Sequence, residues 1–191
     1  MGPVSLWCQE TKAVTLSLPS DFISKLCPTP IWKEKQVVWN GVKDEREEPA
    51  IGQQLQKKGK ETIRLLAEPS LDQIFEESLK NLLTTCGLRF VSRPPSGRSV
   101  SLTMKIKEFH ADFEKKLIKG KGKGSSKLEI FIESFDPATM SRQDRTIQIG
   151  YDLEMEGMRQ KKLKQIEESL NTLFQKTLEQ IPNARELKEA L

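Results

Sequence analysis

One stretch of the chain fixes where a folded domain begins, because an apolar strand runs there directly into a charged turn. The run from Gln36 to Val42 is rich in β-branched and aromatic residues, which is typical of a buried strand. The charges and the proline within residues 44–49 end that strand. The sequence therefore predicts that the folded domain begins close to residue 36.

Three residues of this turn are predicted to be structural. Asp44 and Arg46 place a carboxylate beside a guanidinium, and such a pair can make local hydrogen bonds at the end of a strand. Gly52 is assigned to the same structural turn. The adjacent carboxylates lie on a charged loop and give no sign of converging in a cleft, so we predict no catalytic role for them.

The length of 191 residues suits a single domain with a tail. We predict an extended, proline-containing lead-in or tether over residues 1–35 and one folded domain over residues 36–191. Apolar residues make up 36% and charged residues 30% of the chain, which is typical of a small core under a charged surface. The net charge of +4 is too small to indicate a nucleic-acid or membrane partner by itself.

Two amphipathic helices and a three-strand meander define the predicted fold. Apolar residues recur at helical spacing between Ser70 and Gly87, and again from Leu163 to Ile181. Strict alternation in the segments 100–106, 128–135 and 146–155 predicts three consecutive strands. The sequence thus predicts an α+β two-layer sandwich, with a mainly antiparallel sheet and both helices on one face.

The cysteines and the single histidine point to neither a metal site nor a catalytic site. The three cysteines, Cys8, Cys27 and Cys86, lack the spacing of zinc ligands, and His110 has no nucleophile motif to serve. Cys27 and Cys86 are interpreted in two ways, either as a disulfide that ties the lead-in to the first helix or as free thiols with Cys86 in the core. No cofactor is predicted.

The strongest local charge bias is a lysine-glycine run, predicted to be a flexible tip between two strands. Two interpretations stay open: a site for phosphates or lipid headgroups, or a solvated loop that aids solubility. The spacing excludes a Walker phosphate loop. The candidate anion-binding residues are Lys115, Lys116, Lys119, Lys121, Lys123 and Lys127.

Three short motifs carry a resemblance to a known family. Asp44-x-Arg46 after an apolar strand, Ile51-Gly52, and the segment Cys86 to Val91 resemble the YajG-type bacterial lipoproteins over residues 36 to about 181. A wider likeness extends to auxiliary lipoproteins of ABC transport systems and to LptE-like envelope lipoproteins. The resemblance implies a non-enzymatic protein in the periplasm, anchored to the outer membrane through a lipid on Cys8.

Two functional hypotheses follow. The first is an envelope lipoprotein that acts as a structural or adaptor module, binding another envelope protein or a lipid-like ligand through its open sheet face or an edge strand. The second is a cytosolic protein whose lysine-glycine hairpin binds nucleic acid or another polyanion, although strands poor in aromatic residues argue against nucleic acid as that partner. Residues 1–7 lack the features of an export signal, so the first hypothesis expects that signal outside this sequence. The oligomeric state is not indicated.

Overall fold

The computed structural model describes residues 10–55, 62–93, 97–114, 120–158 and 163–191. Eight strands and four helices alternate along these residues. The strands are β1 Glu10–Val14, β2 Lys35–Asp44, β3 Gly52–Leu55, β4 Thr62–Ala67, β5 Leu88–Val91, β6 Ser99–Glu114, β7 Gly120–Asp136 and β8 Ser141–Met158. The helices are α1 Phe22–Leu26, α2 Leu71–Thr85, α3 Leu163–Gln180 and α4 Arg185–Ala190.

One eight-stranded sheet contains the long meander β6–β7–β8. On the side of β6 away from β7, two strands pair with it in parallel, one after the other along its length. Its first half pairs with β2, from Val38↔Ser101 to Asp44↔Ile106, and its second half pairs with β3, from Gly52↔Ala111 to Leu55↔Glu114. The sheet therefore forks beside β6: β5 extends the β2 branch, and β4 with β1 extends the β3 branch.

The predicted α+β class is confirmed, but the sheet is mixed where the sequence indicated a mainly antiparallel one. Within the described residues, four strand pairings are parallel and three are antiparallel. The parallel pairings lie in the two branches, and the antiparallel meander contains the longest strands. Alternation along a strand reports which face is buried and not the direction of its neighbour, so the sequence pattern could not detect the parallel branches.

The core is centred on three phenylalanines that join both long helices to the sheet. Phe75 of α2 lies edge-on to Phe174 of α3, with ring centroids 4.8 Å apart, and to Phe109 of β6 at 5.7 Å. All three side chains are fully buried. Edge-to-face contacts of this kind add about 0.5–1.5 kcal/mol each beyond the area they bury. The arrangement in exactly two layers stays a prediction.

Residues 10–35 contribute to the same core. β1 pairs in parallel with β4, and Val14, Leu16, Phe22 and Trp32 are all buried. The burial of these side chains anchors the segment to the sheet and to α2. The predicted division of the chain at residue 36 stays a prediction.

Candidate interaction surface

A buried arginine fastens the point where the sheet forks. Arg46 lies in the connection between β2 and β3, and its guanidinium forms a two-pronged contact with Asp44, with Nε–Oδ1 2.9 Å and Nη2–Oδ2 2.8 Å. Its Nη1 donates to the carbonyl oxygens of Ala50 and Phe109, both at 3.1 Å. Because the side chain is only 6% exposed, these contacts tie the turn to β6 and leave no free group for a ligand.

Gly52, assigned from the sequence to that turn, is instead the first residue of β3. It lies opposite Ala111, and a Cβ atom built on it would stand 2.5 Å from the carbonyl oxygen of Ala111. The close approach of β3 to β6 at the fork therefore requires a residue without a side chain.

We expect Gly52→Ala to destabilise the protein by about 2 kcal/mol, the range of an overpacked core, because the added methyl group meets backbone and not a movable side chain. Urea unfolding followed by tryptophan fluorescence measures this loss. Gly124→Ala is the comparison and is expected to cost less, because the atom nearest to its Cβ, Cδ2 of Leu173 at 3.3 Å, is the end of a side chain that can shift, and the backbone oxygen of His110 lies at 3.6 Å. An equal loss in both variants would contradict the steric explanation.

Cys27 and Cys86 are joined by a disulfide, the first of the two interpretations of these cysteines. Their Cα atoms are 5.2 Å apart, and both residues are buried. The backbone supports the same junction, because the N–H groups of Ile31 and Trp32 donate to the carbonyl oxygen of Cys86. The segment that follows α1 is therefore attached to the C-terminal end of α2. Cys8 lies outside the described residues.

From residue 120 onward, the lysine-glycine run is part of a strand, whereas the sequence predicted a flexible tip. Residues 120–124 belong to β7 and pair with β8, and residues 121–124 also pair with β6. Lys123 is exposed, 3.8 Å from Glu154, and Lys127 is half-buried. The candidate residues Lys115, Lys116 and Lys119, and the side chain of Lys121, lie outside what the structure describes.

Packing of α3 explains why glycine alternates with lysine in this run. Gly122 and Gly124 are buried, whereas Lys123 between them is exposed, as expected for a strand with one covered face. A Cβ on Gly124 would stand 3.3 Å from Cδ2 of Leu173 in α3. Two residues further along β7, the hydroxyl of Ser126 is hydrogen-bonded to that of Thr177, at 2.6 Å. The glycines therefore allow the helix to lie close to the sheet.

The face of the meander opposite α3 is polar and carries paired charges. Glu45 contacts Nζ of Lys105 at 2.9 Å and of Lys107 at 2.8 Å, and Lys107 also lies 3.7 Å from Glu129. Hydrogen bonds from Lys107 and then Lys105 lower the pKa of Glu45 from its usual 4.5 to about 2. This face therefore has compensated charge and is not a basic patch.

The lowered pKa of Glu45 predicts the pH dependence of a Glu45→Gln variant. A carboxylate whose pKa is lower in the folded state stabilises the fold above its unfolded pKa, and this contribution disappears as the pH falls through the folded pKa. We expect wild type to melt above Glu45→Gln at pH 6, with the difference shrinking below pH 4.5 and closing near pH 2. Thermal melting of both proteins across this range measures it, and a gap that stays constant with pH would contradict the assignment.

Two shallow depressions lie on the polar face. One, of about 360 Å³, is lined by residues that include His110, Asp112, Ser125 and Asp152. The imidazole of His110 lies 2.9 Å from the Asp112 carboxylate, with both side chains well exposed. Among the described residues, no group of three or more His, Cys, Asp or Glu side chains could hold a metal ion.

The second depression lies at the other end of the polar face, near the turn between β7 and β8. Its volume is about 320 Å³, and its lining includes Val38, Val100, Phe135, Glu133 and Arg142. Phe135 is 39% exposed. The guanidinium of Arg142 contacts Glu133 and, at 3.2 Å, Asp144. The arginine and the glutamate that line this depression are therefore already paired.

In the part of the chain that the structure describes, the outer edge of β8 is the longest unpaired edge of the sheet. Within the described residues, β8 pairs with β7 alone and is 18 residues long, whereas the other edge strands, β1 and β5, have 5 and 4 residues. Its register with β7 is unbroken from Lys121↔Glu156 to Asp136↔Ser141, and it contains no proline. Natural proteins usually shorten, bulge or interrupt an open edge, and from Ser141 to Glu156 β8 shows none of these.

Backbone alternation shows which residues of β8 face outward. The N–H of Ala111 in β6 donates to the carbonyl oxygen of Ile51, beside β3, so the neighbouring residues of β6 direct their backbone groups toward β7. The registers that carry this alternation across the meander are Asp112↔Lys123 and Gly124↔Leu153. The even-numbered residues of β8 therefore direct their N–H and C=O groups away from β7, into the open edge.

The family match identifies the class of protein. A model of a family of uncharacterized lipoproteins matches residues 33–191, and the chain belongs to this family. The predicted resemblance to YajG-type lipoproteins is confirmed, and this membership implies a place in the cell envelope. None of the helices in the described ranges has the length and apolar composition that crossing a membrane requires.

Other comparisons give distant likenesses. The crystal structure of protein XCC0632 from Xanthomonas campestris is 13% identical, with a TM-score of 0.47 over 95% of this chain and 94% of that chain. A hemagglutinin homolog from Helicobacter pylori, described as neuraminyllactose-binding, is 12% identical, with a TM-score of 0.40 over 93% and 95%. No curated protein matches the chain in sequence. Likenesses this distant carry no argument about its function.

Proposed function

We propose that this chain is a non-enzymatic adaptor of the periplasm, anchored to the outer membrane through a lipid on Cys8, that recruits a protein partner by strand addition at β8. The single observation that carries the proposal is the open edge of β8, 18 residues long and free of proline. Unpaired backbone groups in such an edge bind an extended segment through main-chain hydrogen bonds.

Two observations support the location. The chain belongs to a lipoprotein family, and Cys27 and Cys86 form a disulfide. Structural disulfides persist in oxidising compartments such as the bacterial periplasm and are rare in the cytosol. The disulfide also argues against the hypothesis of a cytosolic polyanion-binding protein. A second reason is that, in the described part of β7, lysine alternates with glycines that pack against α3.

The geometry favours a protein strand over a lipid-like ligand. The two depressions on the polar face, both lined by described residues, hold about 320 and 360 Å³. These volumes are at the lower end of the roughly 300–1,000 Å³ of small-molecule pockets, and lipids need room for long apolar chains. The β8 edge, by contrast, already presents a continuous row of donors and acceptors.

Position-specific cross-linking in cells tests the adaptor role. A photo-reactive residue at Thr146, an exposed position of β8, is expected to give discrete protein adducts, because the partner strand lies beside it. The same residue at Thr172, exposed on α3, is the matched control and is expected to give few. Equal yields at both positions, or no adduct at Thr146, would contradict recruitment at β8.

Mass spectrometry of the protein expressed from its native locus tests the anchor. We expect a lipid-modified N-terminal Cys8 in the membrane fraction. An unmodified chain beginning at Met1 in the soluble fraction would exclude the tether and leave the edge-strand proposal to be decided by cross-linking.

A further inference from the structure

We infer that the strand added at β8 is the β8 of a second copy of this chain, paired antiparallel about a two-fold axis at Ile147. The inference rests on the proposed function, because it names the partner of the same edge. It is carried by the charge pattern of β8, which is complementary to itself in one register.

A two-fold axis perpendicular to the sheet limits the registers that are available. Such an axis keeps each face of the sheet on the same side, so a residue of one copy must lie opposite a residue of the same parity in the other. The outward backbone groups of β8 belong to its even-numbered residues, and these would form the new hydrogen-bonded pairs. Registers then differ only in which residue lies on the axis.

With Ile147 on the axis, the even-numbered residues pair favourably. Arg142 lies opposite Asp152 of the second copy, Asp144 lies opposite Gly150, and Thr146 lies opposite Gln148. The symmetry repeats each pair, so two Arg-Asp pairs close the two ends of the paired segment. On the opposite face, the two copies of Ile147 meet at the axis.

The neighbouring registers are worse because like charges directly opposite each other destabilise a sheet. An axis at Gln148 brings Asp144 opposite Asp152, and an axis at Ile149 brings Asp144 opposite Glu154. An axis at Thr146 brings no like charges together but loses the Arg142–Asp152 pairs. Charge therefore selects Ile147 among these alternatives.

Arg142 can take a further carboxylate without losing its present partners. Its guanidinium contacts Glu133 and Asp144 of its own chain, and its side chain is 63% exposed. A guanidinium has five N–H donors, so the pair with Asp152 of the second copy adds to these contacts. Asp152 is itself exposed and available.

Sedimentation equilibrium of the full chain tests the inference. A Cys8→Ser background prevents covalent dimers through the third cysteine. Asp152→Arg replaces each attractive pair by two facing guanidinium groups and is expected to weaken self-association at least about tenfold. Glu154→Arg, with the same charge change two residues further along the same face, is expected to weaken it less than about threefold, since it has no arginine directly opposite.

A dimer that Asp152→Arg weakens far more than Glu154→Arg supports the inference, with matching melting temperatures showing that both variants fold. A larger effect of Glu154→Arg would overturn the register, since that variant faces Arg142 when the axis is at Gln148. Wild type that stays monomeric at every concentration would overturn the second copy as partner. In that case, hetero-adducts at Thr146 in cells would still uphold the adaptor role.

Discussion

Replacing both Cys27 and Cys86 by alanine is expected to lower the free energy of unfolding by about 4 kcal/mol, from the loop-closure entropy of a bridge of this span. The two residues are 59 positions apart, so the disulfide strongly restricts the unfolded chain. For a protein of this size, the loss corresponds to a melting temperature lower by about 10 °C. Guanidinium unfolding and thermal melting under non-reducing conditions measure the change.

Reductant supplies the control for this variant. In dithiothreitol, the wild-type protein is expected to have the same unfolding free energy as the double variant. The stability of the double variant is expected to be unaffected by the reductant. Cys8→Ala is the comparison, because it removes a thiol and leaves the bridge in place, and it is expected to retain most of the roughly 4 kcal/mol that the double variant loses. A double variant within about 1 kcal/mol of wild type would show that the bridge is not formed in the native protein.

Arg46→Met is expected to cost about 3 kcal/mol, because it removes one partner of a largely buried ion pair and leaves carbonyl oxygens at the fork without donors. The carbonyl groups of Ala50 and Phe109 lose a hydrogen bond each, and Asp44 loses its two-pronged partner. Arg46→Lys is expected to recover less than half of the loss, since an ammonium group cannot reach both the carboxylate and the carbonyl groups in this geometry. Urea unfolding of the three proteins measures these differences.

A surface arginine provides the comparison for Arg46. Arg89 is 62% exposed and lies 3.3 Å from Glu34, so Arg89→Ala is expected to cost less than about 1 kcal/mol, the usual range of surface ion pairs. If Arg46→Met were equally mild, the fork would be held by the strand pairings alone, and the structural role given to this arginine would be wrong.

The helices and the meander could be predicted from the sequence because their signals are local. Helical spacing between Ser70 and Gly87 corresponds to α2, and Gly87 has the positive φ of +100° expected after a helix end. The spacing of Ser70 and Gln73 is that of a capping box, but the hydroxyl of Ser70 contacts Asp72 instead, at 2.5 Å. A short side chain had two nearby partners, and the spacing could not decide between them.

The interaction surface could be predicted less well because it depends on contacts between distant segments. Lysine and glycine alternate in β7 because Leu173, some fifty residues further along the chain, lies against Gly124, and composition alone suggested a flexible tip. Arg46 was placed in a turn, yet its contact with Phe109 depends on the fork beside β6. The alternation in β8 was visible, whereas its position at the open edge follows only from the strand order.

We expect β8 to recruit its partner through open backbone groups, and a proline in place of Gln148 tests this most directly. The N–H of this residue points away from β7, so Gln148→Pro removes a donor from the open edge while keeping the ladder to β7. Gln148→Ala is the matched control, because it removes only the side chain that contacts Glu129. The measurement is the yield of adducts in cells from a photo-reactive residue at Thr146.

We expect Gln148→Pro to abolish the adducts and Gln148→Ala to retain them, with both variants keeping the melting temperature of wild type to within a few degrees. Undiminished adducts in the proline variant, folded as judged by its melting, would show that the partner does not bind through the β8 backbone and would contradict the account.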